Sequence, residues 1–164
     1  MNIEPYHTDA KLTAGLVDLI EYCQNEEAHL GIKMIEQPDV FEIEHHYQEN
    51  GGNFWVATDK KRVVGSIGLL KVGQETAVLK KLFTYPEYRG EPHRLGRHLF
   101  QTLLDYTCAQ TDLKKLVLDT PMGEKRSHFF YEKQGFKLIS REKLTVDYEF
   151  PDRNSLIYER SLKD

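Results

Sequence analysis

The chain has 164 residues, 40% of them hydrophobic and 29% charged, which is enough for one domain, spanning residues 1–164, with a buried core. A net charge of −4 and the lack of a long basic run argue against a nucleic-acid surface. No apolar run approaches the roughly 18 residues of a membrane span, so neither nucleic acid nor membrane is an expected partner. The N-terminal MNIEPYHTDAK lacks the basic-then-apolar form of a secretory signal, and the cytoplasm is the expected compartment. Cys23 and Cys108 both fall in apolar helical patterns and read as reduced core residues. No Cys or His spacing suits a metal; the adjacent His45 and His46 point apart on a helix, and His7 adds no third ligand.

In chain order, Asn2 to Pro5 reads as a short strand. Thr8 or Asp9 can cap a helix whose apolar positions are Leu12, Leu16, Leu19, Ile20 and Cys23. Asn25 to Gln37 mixes charges with Gly31 and two exposed-looking apolar residues, Ile32 and Met34, and reads as a loop or a broken helix. Pro38 suits the first turn of a second helix with Val40, Ile43, Glu44 and Tyr47 on one face, ended by Asn50-Gly51-Gly52. Three strands then form a meander: Phe54 to Thr58, Arg62 to Val72 and Thr76 to Thr84.

After the third strand comes LFTYPEYRGEPHRLGRHLF, a basic turn with Arg89 and Gly90 that opens into a helix near Gly96. Leu95, Leu99, Phe100, Leu103 and Leu104 make that helix amphipathic. Strand, basic turn and helix start suit a diphosphate, because the first helical N–H groups lack partners and the dipole favours an anion there. Leu116 to Asp119 is a short apolar strand, Lys125 to Gln134 a helix stopped by Gly135, and Phe136 to Ser140 and Ser155 to Arg160 are the last strands. The acidic, aromatic DYEFPD (147–152) lies between those two strands. The order is β-α-α-β-β-β-α-β-α-β-β, an α/β fold with one mixed, largely antiparallel sheet and helices on both faces.

This order, together with LFTYPEYRG followed by LGRHL and with FYEKQGF (Phe130 to Phe136), resembles the GNAT superfamily of acyl-CoA-dependent N-acetyltransferases. The first motif is similar to the family's coenzyme A pyrophosphate turn, and the second to its tyrosine-bearing helix end. Two departures are visible. The turn from Arg89 to Gly96 is two residues longer than the family pattern, with Arg94 or the Glu91-Pro92-His93 insertion where a middle glycine belongs. The strand position of the glutamate that serves many relatives as general base is Val78.

The resemblance implies acetyl-CoA as cosubstrate and direct attack by an amine, without a covalent enzyme intermediate. Leu82, Phe83 and Thr84 would offer backbone groups to the pantetheine arm, and an amide there would polarise the thioester carbonyl. Arg89, Gly90, His93, Arg94, Leu95, Gly96 and Arg97 would cradle the pyrophosphate. Tyr131 would protonate the leaving thiolate, its phenol of pKa about 10 being suited to the task, with His128 as substitute. No base is assigned; Glu26, Glu27 and Glu44 are the nearby carboxylates. The Asn25–Gln37 segment and DYEFPD would line the pocket of a small cationic amine. Two alternatives stand beside this reading: a module that binds coenzyme A or a peptide with little catalysis, and an acetyltransferase of protein N-termini or lysines. An exposed last strand would offer an edge for a homodimer.

Overall fold

A computed structural model describes residues 1–110, 112–147 and 154–162. Its centre is a seven-stranded sheet in the order β1-β2-β3-β4-β5-β7-β6. The strands are β1 (Asn2–Pro5), β2 (Asn53–Asp59), β3 (Arg62–Lys71), β4 (Thr76–Thr84), β5 (Lys115–Pro121), β6 (Lys137–Ile139) and β7 (Ser155–Ser161). All neighbours run antiparallel except β4 and β5. The helices are α1 (Ala10–Glu21), α2 (Leu95–Cys108) and α3 (Lys125–Lys133).

Both faces of the sheet are covered, and strand alternation shows it. Phe54 and Val56 of β2 point to one face, where they pack with Leu16 and Ile20 of α1 and with Tyr47. Trp55 and Ala57 point to the other, with Leu95, Leu99, Phe100 and Leu103 of α2. The strand β3 is therefore apolar at nearly every position, as a doubly covered strand must be. Asp9 caps α1 by accepting a hydrogen bond from the Leu12 amide at 2.9 Å, and Thr8 instead binds the Glu44 carboxylate.

Several expectations are corrected. The second helix does not form as one piece. Pro38–Phe41 is a 3₁₀ turn and Glu44–Gln48 a π-helical turn, although Val40, Ile43 and Tyr47 are buried as the pattern requires. Ile32 is buried, not exposed, because the chain folds the 25–37 segment back over the end of α1. Cys108 lies on the exposed side of α2, so only Cys23 belongs to the core. The last strand, β7, is no edge: it pairs with β5 on one side and β6 on the other, and the sheet edges are β1 and β6.

The fit of α2 on the sheet depends on Gly65. A Cβ there would meet Leu95 Cδ2 at 2.8 Å and Leu99 Cδ1 at 3.0 Å, and both leucines are fully buried. Gly65→Val is expected to lower unfolding stability by about 1–3 kcal/mol through overpacking, read as a lower midpoint in urea with an unchanged m-value.

Candidate active site

Strands β4 and β5 pair only over Thr76–Val78 and Lys115–Val117. Beyond that point they part, and a cavity of about 600 Å³ opens between Leu79–Thr84 on one side and Asp119–Pro121 on the other. The divergence coincides with a bulge in β4. The β3–β4 register shifts between Ser66 and Gly68, opposite Lys81, whose φ of +55° is left-handed. A lysine in that conformation is strained. Ser66 Oγ offsets the strain by donating to the Lys81 carbonyl at 2.6 Å, and Lys81 Nζ donates to Gln37 Oε1 at 2.6 Å.

Lys81 is nearly fully buried, with Asp39 at 3.8 Å and Tyr47 donating to the same Asp39 oxygen at 2.6 Å. Burial lowers the Lys81 pKa to about 8, against the pull of Asp39. Gln37 and Gln24 also bond each other at 2.9 Å, which ties the loop to the π-helical turn Tyr22–Glu27 that continues α1. This polar network forms the floor of the cavity on the α1 side.

The basic turn does two separate jobs. Gly90, at φ +64°, and Arg94, at φ +44°, carry the chain into α2. Arg94 occupies the N-cap, with no side-chain bond to the first turn, so the leading N–H groups of α2 are open at the cavity. Gly90, Arg94, Gly96 and Arg97 all line it. His93 and Leu95 do not. His93 packs on the Tyr88 ring at 5.1 Å, and the side chain of Leu95 is core, leaving only its backbone at the helix start.

Arg89 is placed differently from the expectation. Its guanidinium donates to Glu27 at 2.7 and 2.8 Å and to the Thr84 carbonyl at 2.5 Å, with Nε donating to Thr84 Oγ1 at 3.1 Å. It joins the end of α1 to the end of β4, and it occupies the Thr84 carbonyl that was assigned to pantetheine. Leu82 and Phe83 line the cavity as expected. Arg126 of α3 reaches the same Glu27 at 3.4 Å from the opposite wall. The hydrogen bond from Arg89, aided by both positive charges, holds the Glu27 carboxyl below its ordinary range. Glu26 is exposed and outside the cavity lining, and Glu44 is spent on Thr8.

Tyr131 stands on α3 with its ring among Phe130, Phe136 and Tyr158, and it lines the cavity. Burial first, and then the charge of Asp119, raises its pKa. Among the described residues its hydroxyl has no hydrogen-bond partner. His128 binds the Pro121 carbonyl at 2.9 Å and is outside the cavity lining, whereas Tyr131 is part of it. The Cys23 thiol lies in the same cavity but is pushed up to about 12, chiefly by burial, so it is no thiolate nucleophile. The 148–152 part of DYEFPD lies outside the described residues. No cluster of three or more metal-ligating side chains exists among the described residues.

The Acetyltransferase (GNAT) family profile matches residues 19–136, which span both motifs and the diverging strands. The chain belongs to the GNAT family of acetyltransferases. It is 56% identical to an acetyltransferase from Streptococcus agalactiae 2603, with a TM-score of 0.94 over 98% of this chain and 97% of that one. It is 30% identical over 103 residues to human N-acetyltransferase 8, covering 60% of this chain but only 45% of the relative, so the match spans about half the relative's length. The PaiA N-acetyltransferase of Thermoplasma acidophilum, solved in complex with coenzyme A, shares the fold at 19% identity and a TM-score of 0.68, covering 98% of this chain and 99% of that one.

The Glu27–Arg89 pair gives a pH test with a definite sign. The folded-state pKa of Glu27 lies below its ordinary 4.5, so its contribution to stability is complete above that value and is lost as pH falls through the folded pKa. The Tm deficit of Glu27→Gln relative to wild type is expected to be largest at pH 7 and to shrink towards pH 3 in thermal melts.

Proposed function

We propose that this protein moves an acetyl group from acetyl-CoA to the primary amine of a small acceptor by direct attack within a ternary complex. The observation that carries the reading is the parting of β4 from β5 beside the open N-terminus of α2, with Tyr131 on the facing wall. The coenzyme supplies an activated thioester. The α2 N–H groups and the guanidinium groups of Arg94 and Arg97 suit its pyrophosphate. The backbone of Leu82 and Phe83 suits the pantetheine arm as a strand-like partner. Tyr131, buried and protonated at neutral pH, donates its proton to the departing sulfur.

On the acceptor side the wall is formed by Gln24, Ala28, Leu30 and Ile32. Glu27, the acidic group expected to greet a cation there, is already balanced by Arg89 and Arg126. The fitting acceptor is therefore a small amine, cationic in solution, that enters as the neutral base with an apolar flank against Leu30 and Ile32.

The test is release of free thiol from acetyl-CoA with a panel of primary amines, beside thermal-shift binding of coenzyme A. Turnover supports the reading; coenzyme binding without turnover favours a binding module, and no binding sinks both. Tyr131→Phe is expected to lower kcat about 100-fold or more while KM for acetyl-CoA stays within twofold. Undiminished turnover in that variant would remove Tyr131 from the chemistry. Replacing Arg94 and Arg97 together by alanine is expected to raise KM for acetyl-CoA by about tenfold or more, since each charged hydrogen bond is worth about 1.5–3 kcal/mol.

A further inference from the structure

Among the described residues three carboxylates line the cavity: Glu27, Asp119 and Glu124. Glu27 is bound by two guanidinium groups and held ionised at low pH, which makes it a poor proton acceptor. Glu124 precedes the first turn of α3, beyond Pro121 and towards the outer end of β5. Asp119 differs in its place in the cleft. It sits two residues past Val117, the last β5 residue paired with β4, where the strands begin to part. Lys81 of β4 and Tyr131 of α3 line the same cavity, and the charge of Asp119 acts on both. It is half-buried and held on the β7 side by its register with Ile157. The carboxylate thus stands at the crotch of the cleft, between the groups assigned to the acetyl donor and the polar floor on the acceptor side.

We infer that Asp119 is the general base of the reaction, taking the role that the strand glutamate plays where this chain has Val78. The inference rests on the acetyltransferase reading. The neutral amine forms the new C–N bond, and the proton it sheds goes to the Asp119 carboxylate. The C–S bond breaks, and the sulfur takes the phenolic proton of Tyr131. Asp119 then returns its proton to the phenolate, directly or through one water. One proton has moved from nitrogen to sulfur, and both side chains are restored.

The experiment uses the full chain, acetyl-CoA and any amine that wild type acetylates. Asp119→Asn is expected to lower kcat about 100-fold or more, with KM for acetyl-CoA and the coenzyme A thermal shift retained. Asp119→Ala provides a second reading, since added formate should restore part of its turnover only if a carboxylate accepts the proton. Asp119→Asn turnover within threefold of wild type, or no rescue by formate, would overturn the role of Asp119 alone. A wild-type protein that releases no thiol with any amine would overturn the underlying reading as well.

Discussion

Two parallel strands that pair over three residues and then separate leave a row of backbone groups without ladder partners. Inside a protein such groups must find other partners, and a strand-like ligand arm satisfies them as a neighbouring strand would. Most of the functional architecture follows from this divergence. The bulge at Lys81 turns β4 away from β5. The Ser66 hydroxyl and the Gln37 amide hold that bulge in place. The Arg89 guanidinium then fixes the far end of β4 to Glu27. The opening is thus braced at its middle and its end by side chains whose own polar groups are satisfied.

The bracing also distributes charge. Positive groups gather where α2 begins, through Arg94 and Arg97, next to N–H groups that already favour an anion. Lys81 places another cation under the cleft, kept there by Asp39, which in turn is held by Tyr47. Removing either partner would leave a buried charge uncompensated, a costly outcome in a half-dry interior. The carboxylates differ in their surroundings: Glu27 is neutralised by arginines, and Asp119 lines the cavity with Lys81 and Tyr131 and acts on both by its charge. Positive charge is thus concentrated at the α2 end of the cleft, apart from the carboxylate of Asp119.

Much of this was legible before any coordinates. The strand meander and the helix carrying Leu95, Leu99, Phe100 and Leu103 follow from periodicity and turn residues, and the tyrosine before Gly135-Phe136 from the resemblance of FYEKQGF to the family motif. One signal went unread. TAVLKKLFT places two lysines side by side in an otherwise apolar strand, so strict alternation would drive one of them into a core. A bulge resolves that conflict, and Lys81 marks it. The helix over Pro38–Tyr47 was overread, because its apolar spacing is real but the chain satisfies it with two short turns of different pitch.

The sequence by itself determined the order of the strands and of α1, α2 and α3, the basic turn before α2 and the family, since these depend on local pattern and on residues close in the chain. Only the tertiary structure decided what Arg89 does, because its partners Glu27 and Thr84 come from separate elements and no spacing announces an ion pair 62 residues apart. The same holds for Asp119. In the sequence it is only the end of a short apolar strand, and it becomes a candidate base only where β4 leaves β5 and the cavity lined by Lys81 and Tyr131 opens beside it.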